Sequence, residues 1–298
     1  MGGAAPSGRQ QSALGCFGGV SMKTSVLIPA HNEAAYLPAC LSALLASEAV
    51  AGDVQVVVVA NGCTDNTAEI ARGFAPQAVA RGWQLKVLDL AQGGKLNAWN
   101  KGEAAAVGEV LIYLDADVVV SPQVIPQIAQ VLDVDAPRYA SGRPNVTLSG
   151  DDALTRHYTR FWLTTPFMVH GVPGFGVFAM NRAGRARWDD WPDIISDDTY
   201  ARLNFAPAER LSVPAGYDWP MIEGFTRLVQ VRRRQDIGVA EIEEQYPELM
   251  VNDDTHDQTV PVWKRALWDP VAFVAFVAVR IAIRLPILRS GNRWVRGR

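Results

Sequence analysis

Val110-Leu111-Ile112-Tyr113-Leu114-Asp115-Ala116-Asp117 sets an unbroken apolar run directly before two aspartates that are separated by one alanine. Such a run reads as a buried strand whose far end opens into solvent. Working outward, the same pattern recurs. Val54 to Ala60 is nearly all valine, the β-branched signature of a central parallel strand covered on both faces. Ser25-Val26-Leu27-Ile28 is a shorter strand ended by Pro29, and Leu85 to Leu90 is another. Helical spacing lies between them. Asn32-Glu33 opens a stretch with Leu37, Cys40, Leu41, Leu44 and Leu45 on one face, and Asn66 and Glu69 have the separation of a capping box. Lys95 to Ala106 predicts a helix, and Ser121-Pro122 supplies a cap and an N-terminal proline for one running to about Leu132. Strands alternating with helices imply an α/β, doubly wound, mostly parallel sheet. Ligands of such sheets bind beyond the carboxyl ends of the strands. Three polar clusters fall there: Pro29 to Glu33, Asn61 to Asp65, and Asp115 to Asp117.

Composition narrows the class of function. The chain has 298 residues, 49% hydrophobic and 20% charged, enough for one large α/β domain or two small ones. Its net charge of −3 gives no basic excess for a phosphate backbone, so no nucleic-acid partner is expected. Cys16, Cys40 and Cys63 are too few and scattered for a disulfide framework or zinc site, which fits a reducing compartment. Residues 1–22 are rich in Gly, Ala and Ser without the apolar core of a signal peptide, and read as a disordered leader.

Asp115 and Asp117 repel each other at a strand end unless a positive charge joins them. Mg2+ or Mn2+ held by one or two carboxylates, with diphosphate oxygens completing its shell, is the natural partner. Asp117 is the expected principal ligand, with Asp115 sharing the ion or standing nearer a ribose. An isolated pair of this kind would read as a solvated loop; the strand before it and the clusters upstream weigh against that. Asn61 follows its strand at a glycine turn, where its amide could meet a nucleobase edge or ribose, or the turn could simply cap a helix. Gly93-Gly94-Lys95 puts a cation at a helix start, suited to a phosphate.

Together these segments resemble the family 2 inverting glycosyltransferases. The family's first strand-end motif appears as Pro29-Ala30-His31-Asn32-Glu33 and its second as Ala60-Asn61-Gly62-Cys63-Thr64-Asp65. Its Gly-Lys helix begins at Gly94-Lys95, and its DxD is Asp115-Ala116-Asp117. The resemblance implies a GT-A (Rossmann-like) fold and a nucleotide-sugar site drawing on Pro29, Ala30, His31, Glu33, Asn61, Lys95, Asp115 and Ala116. It also implies a catalytic pair, Asp197-Asp198, whose second member is the base. Asn61 stands where the family often has an aspartate, and Gln230-Val231-Arg232-Arg233-Arg234 is similar to the motif of processive synthases but ends in arginine rather than tryptophan. One sugar addition is therefore expected rather than polymer synthesis. The arginine triplet Arg232, Arg233 and Arg234 is expected to meet diphosphate or an anionic acceptor, with a solvated basic strand as the alternative, and Gly174 to sit in a flexible acceptor loop over Gly171 to Gly176. His256 reads as surface loop or distal metal ligand.

From Trp263 the chain changes character. Val271 to Val279 is uninterrupted apolar sequence, and Val271 to Leu288 as a helix would span about 27 Å, barely a hydrocarbon core. Arg280 and Arg284 would each cost roughly 2.5–3.5 kcal/mol near its centre. Basic residues on both flanks favour a helix lying on an anionic leaflet, with docking in a groove of this protein or of a second subunit as the alternative. The expected organisation is a leader (1–22), a nucleotide-sugar half (23–135), an acceptor and catalytic half (136–260) and a membrane-associating tail (261–298). The expected activity is metal-dependent transfer from a nucleotide-diphosphate sugar to a glycan or lipid-linked acceptor, at the cytoplasmic face of a membrane. The alternatives are a silent nucleotide-binding protein of this fold and a sugar-phosphate nucleotidylyltransferase, whose glycine-rich, arginine-bearing first loop is missing here.

Overall fold

The structure, a computed structural model, describes residues 23–148, 150–254 and 260–285. The leader, His256 and the chain after residue 285 lie outside the described residues. Among the described residues one sheet carries eight strands: β1 (Lys23–Ala30), β2 (Asp53–Asn61), β3 (Gln84–Leu90), β4 (Val110–Leu114), β5 (Val119–Val120), β6 (Tyr139–Thr147), β7 (Val177–Asn181) and β8 (Arg210–Pro220). Their order is β3-β2-β1-β4-β7-β6-β8-β5. The first four are parallel, as the alternation predicts. Beyond β4 the sheet turns mixed, with β7 antiparallel to β4 and to β6, while β6 and β8 run parallel. After β3 the chain returns to the other side of β1, so the strand order reverses between β1 and β4. That reversal opens a crevice at the carboxyl ends of the two strands, where Ala30 and Asp115 emerge.

The valine run of β2 explains itself in the packing. Val56 and Val58 belong to the apolar layer on one face, with Leu37, Leu41 and Leu44 of α1 (Leu37–Leu45) and Val124, Ile125 and Ile128 of α2 (Val124–Val131). Val57 and Val59 belong to the opposite layer, with Leu96 and Trp99 of α3 (Lys95–Ala105) and Tyr200 and Leu203 of α4 (Asp197–Leu203). Full burial of each such side chain contributes roughly 1.5–3 kcal/mol, so a strand covered on both faces needs no polar alternation.

Three helix starts differ from expectation. Asn32 takes φ 53°, outside the right-handed helical region, and α1 begins only at Leu37 after a turn onto the Glu33 carbonyl. At α5 (Thr67–Gly73) the cap is Asp65, whose Oδ1 accepts from Thr67 N and from its hydroxyl, while Asn66 makes no side-chain cap. Ser121 closes a turn by accepting Val124 N–H, so α2 starts two residues later than Pro122 suggests.

The tail packs on the protein. Helices α6 (Ala153–Trp162), α7 (Phe225–Gln245) and α8 (Pro270–Arg284) enclose a third apolar cluster in which Val279, Ala282 and Ile283 meet Tyr158, Trp162, Leu228 and Val229. Asp269 caps α8 by accepting Ala272 N–H, and Arg280 pairs with Asp236 at 3.0 Å. The opposite surface of α8 and the preceding α9 (Val262–Trp268) leaves Trp263, Leu267, Trp268, Val271 and Val274 exposed. Among the described residues no helix is long and apolar enough to cross a membrane.

Candidate active site

The strand-end loops are tied to one another before any ligand arrives. Asn32 Oδ1 accepts from the backbone N–H groups of Thr64 (2.6 Å) and Asp65 (3.3 Å), which binds the loop after β1 to the loop after β2. Glu33 N–H donates to Thr67 Oγ1, and the His31 ring approaches the Asn61 carbonyl through Nδ1 at 2.6 Å. Gly62 has φ 58°, and a Cβ there would fall 2.8 Å from Gly93 N. Only glycine allows the second loop to lie against the Gly93-Gly94 turn that starts α3.

Beyond these loops a cavity of about 200 Å³ brings together Lys95, Asp115, Asp117, Asp197, Asp198 and Arg234. Each comes from a different structural cause. Asp115 and Asp117 leave the end of β4, and Asp115 N–H is held by the Gly176 carbonyl. Lys95 opens α3, while Asp197 and Asp198 stand in the first turn of α4, where the helix dipole favours negative charge. Lys95 Nζ lies 3.0 Å from Asp115 Oδ1 and 3.1 Å from Asp197 Oδ2. Burial alone would pull the lysine down, but these carboxylates outweigh it and hold its pKa above the usual value.

The two neighbouring aspartates are not equivalent. Asp197 is buried and engaged: Trp99 Nε1 donates to it at 2.8 Å and Lys95 pairs with it. Asp198 accepts locally from Thr199 N–H, and the cap position belongs to Ser196, so Asp198 is not the helix cap. Burial, reinforced by the charge of Asp197 and partly offset by Lys95, pushes the Asp198 carboxyl up to about 6. A carboxylate of that basicity is suited to take a proton near neutral pH.

Among the described residues no cluster of three His, Cys, Asp or Glu side chains could hold a metal on protein ligands alone. Asp115 and Asp117 fit a different donor set. Mg2+ and Mn2+ are commonly bound through one or two carboxylates, with water and phosphate oxygens as the remaining ligands.

Other predicted residues fall elsewhere. Asn61 is 3% exposed; its amide N–H groups donate to Ala30 O and Val59 O, and its oxygen accepts Gly94 N–H. That corrects its assignment as a base-reading side chain: it is the bolt between β1, β2 and the α3 turn. Pro29 and Ala30 are buried strand-end residues, His31 is exposed and Glu33 half-buried, at the rim of the crevice. Ala116 is buried between the two aspartates. Arg233 donates to the carbonyls of Ala282, Ile283 and Leu285, anchoring α8, so it is not at the site. Gly174 does not line the cavity either; a Cβ there would strike the Tyr139 hydroxyl at 1.8 Å, and the expected flexible loop is packed, with Val172 to Phe175 buried. Arg234 does line the cavity, where Asp197, Asp198 and Asp115 attract it. Sequence reasoning missed Phe175, Trp219 and Gln235, which line it together with Arg232 of the expected arginine triplet. Arg232 sits one turn of helix from Gln235 within α7, which places both on one face.

A sequence profile described as Glycosyl transferase family 2 matches residues 25–201, more than half of the chain. An uncharacterised glycosyltransferase of Nostoc sp. is 36% identical over 110 residues, 37% of this chain and 33% of that protein. A PGL/p-HBAD biosynthesis glycosyltransferase of Mycobacterium tuberculosis is 39% identical over 93 residues, 31% of this chain and 34% of that protein. The matches thus span about a third of these relatives' length. Among solved structures, the mannosyltransferase PcManGT of Pyrobaculum calidifontis, in complex with GDP-Man and Mn2+, superposes with a TM-score of 0.57 at 19% identity, covering 89% of this chain and 77% of that one. S. aureus TarS in complex with UDP gives 0.50 at 16% identity, over 87% and 81%. At these identities the likeness speaks for the GT-A fold alone. The profile match across both the strand-end loops and the aspartate pair adds the family: this chain belongs to glycosyl transferase family 2.

Proposed function

We propose that the chain transfers a sugar from a nucleotide-diphosphate sugar to an acceptor hydroxyl with inversion, using Asp198 as general base. The observation that carries this reading is the shared cavity: Asp198, with its raised pKa, opens onto the same space as Lys95, Asp115 and Asp117. Asp115 and Asp117 would hold Mn2+ or Mg2+ at the donor diphosphate, and a bound ion supplies neutralisation of the charge that develops there. Lys95 and Arg234 add positive charge from the protein. Asp197 positions Lys95 and Trp99 rather than moving a proton. Asp198 then takes the acceptor hydroxyl's proton as the oxygen bonds to the anomeric carbon, and the old anomeric C–O bond leaves its electron pair on the diphosphate. PcManGT with GDP-Man and Mn2+, and TarS with UDP, support the donor class by analogy of fold.

The finer parts of the reading concern the acceptor and location. We take 23–135 as the nucleotide-sugar half and 136–260 as the acceptor half. A glycan or lipid-linked acceptor at the cytoplasmic face fits the outer surface of the last two helices. Trp263 and Trp268 are 61% and 72% exposed there, beside Lys264. Aromatic and basic side chains on one surface suit binding to anionic lipid headgroups.

A thermal-shift panel of UDP and GDP, with and without Mn2+, tests the donor site. Ligand bound only by the folded state raises its stability by RT ln(1 + [L]/Kd), and the unfolding temperature rises with it. The expected result is stabilisation by at least one diphosphate that depends on Mn2+; no shift with any of them would contradict the reading.

A further inference from the structure

A second cavity, of about 250 Å³, lies against the first. The two share a wall that includes Asp198, Arg232, Phe175 and Trp219. The second has none of the donor-side groups Lys95, Asp115 or Asp117. Instead it is faced by rings: Trp162, Phe167, Phe175 and Trp219, with Phe175 and Trp219 centred 4.8 Å apart at 60°. Pockets that are mostly apolar with a few fixed polar groups are the usual form of a small-molecule site.

Arg232, on the shared wall, and Arg202 are the cations of this pocket, beside the carboxylates of Asp198, Asp236 and Asp253. Arg232 is 9% exposed, and burial disfavours its charged form. Its Nη1 donates to Gln235 Oε1 at 2.9 Å, its Nη2 approaches the Met221 sulfur at 3.7 Å, the Tyr158 side chain also hydrogen-bonds with it, and its Nε makes no hydrogen bond. The guanidinium lies over Trp162 at 4.1 Å and Tyr158 at 5.3 Å. Among the described residues no carboxylate forms an ion pair with it. Asp236, the nearest acid in sequence, is engaged by Arg280, whereas the other arginine of the pocket, Arg202, pairs with Asp253 and Asp254. Asp236 attracts Arg232 through space without pairing with it, ring faces compensate a buried cation only in part, and a bound anion would complete that compensation.

We propose that this cavity is the acceptor subsite and that it selects a ring compound whose substituent is an anion, a phosphate or a carboxylate, which Arg232 holds. The proposal rests on the first cavity being the donor site and Asp198 the base. The ring lies among Phe175, Trp219 and Trp162, and its hydroxyl reaches Asp198 across the shared wall. The step is the one given above: the hydroxyl oxygen bonds to the anomeric carbon, its proton passes to Asp198, and the nucleoside diphosphate departs with the electron pair.

The test is calorimetric titration of the full chain, with Mn2+ and the best nucleoside diphosphate present, by three probes: glucose, glucose 6-phosphate and glucuronate. At least one of the anionic probes should bind about tenfold or more tightly than glucose, the size of one hydrogen bond to a charged group. Phosphate against carboxylate is read from which of the two it is. Arg232→Gln should erase that preference while nucleotide and Mn2+ binding stays within about twofold, since Arg232 is assigned to the acceptor. If that variant does not unfold cooperatively, Arg232→Met fills the space among the rings without a buried charge and serves instead. Equal binding of all three probes by the wild type overturns the proposal, as does a preference that survives loss of Arg232. Loss of nucleotide and Mn2+ binding in the variant overturns it too, by moving Arg232 to the donor. A wild type that binds no nucleoside diphosphate contradicts the donor reading instead; the probes, titrated without nucleotide, then still decide for or against the anion site.

Discussion

At the scale of residues, the account turns on why two adjacent aspartates do different work. Asp197 is fixed by Trp99 and Lys95, so its oxygens are occupied. Asp198 faces both cavities with a raised pKa. Asp198→Asn keeps the shape and should reduce transfer by ~10²–10⁴-fold, with nucleotide binding unchanged in a titration. A base must be deprotonated to act, so the wild-type rate should fall on the acid side as pH drops through about 6. Positive charge added by Mn2+ moves that limb lower, never higher. An acid limb that persists at the same pH in the residual activity of Asp198→Asn would remove Asp198 from the mechanism.

The same scale shows what could be read in the sequence. The Asp115 and Asp117 pair was legible because carboxylates directly after an apolar strand have few structural uses. Asn61 was misread because its type suits a nucleobase as well as a backbone, and only the fold reveals that Ala30, Val59 and Gly94 use both ends of its amide. Arg232, Arg233 and Arg234 are indistinguishable as letters. Helical rotation sends Arg233 to the carbonyls of α8 and its two neighbours to the cavity.

At the scale of elements, the tail has two faces, one buried and one exposed. Its inner face is core: Val279 is fully buried, and Phe276 stacks on Tyr158 at 5.4 Å. A chain ending at Pro261 should therefore lose several kcal/mol, given roughly 1.5–3 kcal/mol for each large apolar side chain uncovered, and should expose the third cluster rather than become well behaved. Urea unfolding measures this directly; unchanged stability would mean α8 is dispensable to the fold. Its outer face is the proposed lipid contact. Trp263→Glu with Trp268→Glu leaves the core untouched and should abolish sedimentation with anionic vesicles while stability stays nearly constant. Equal sedimentation of variant and wild type would contradict the membrane role. The sequence carried the apolar run but not its partition, because an amphipathic helix docked on protein and one docked on lipid share a pattern when both faces are apolar.

At the scale of the whole molecule, alternation of strand and helix foretold the four parallel strands but not the mixed half. β6, β7 and β8 are separated by irregular segments, and pairings across such sequence distances follow from tertiary packing rather than local propensity. The second cavity belongs to that half, and of its lining the motifs held only Asp198 and Arg232. The central claim is that Asp115 and Asp117 serve a metal-assisted departure of a nucleoside diphosphate. The most direct measurement is release of nucleoside diphosphate from UDP- and GDP-sugars, with and without Mn2+, by the wild type and by Asp117→Asn. The account predicts Mn2+-dependent release from at least one donor, reduced about 100-fold or more in the variant while its unfolding transition stays in place. Release by the variant at the wild-type rate, or none by the wild type with any donor, would contradict it.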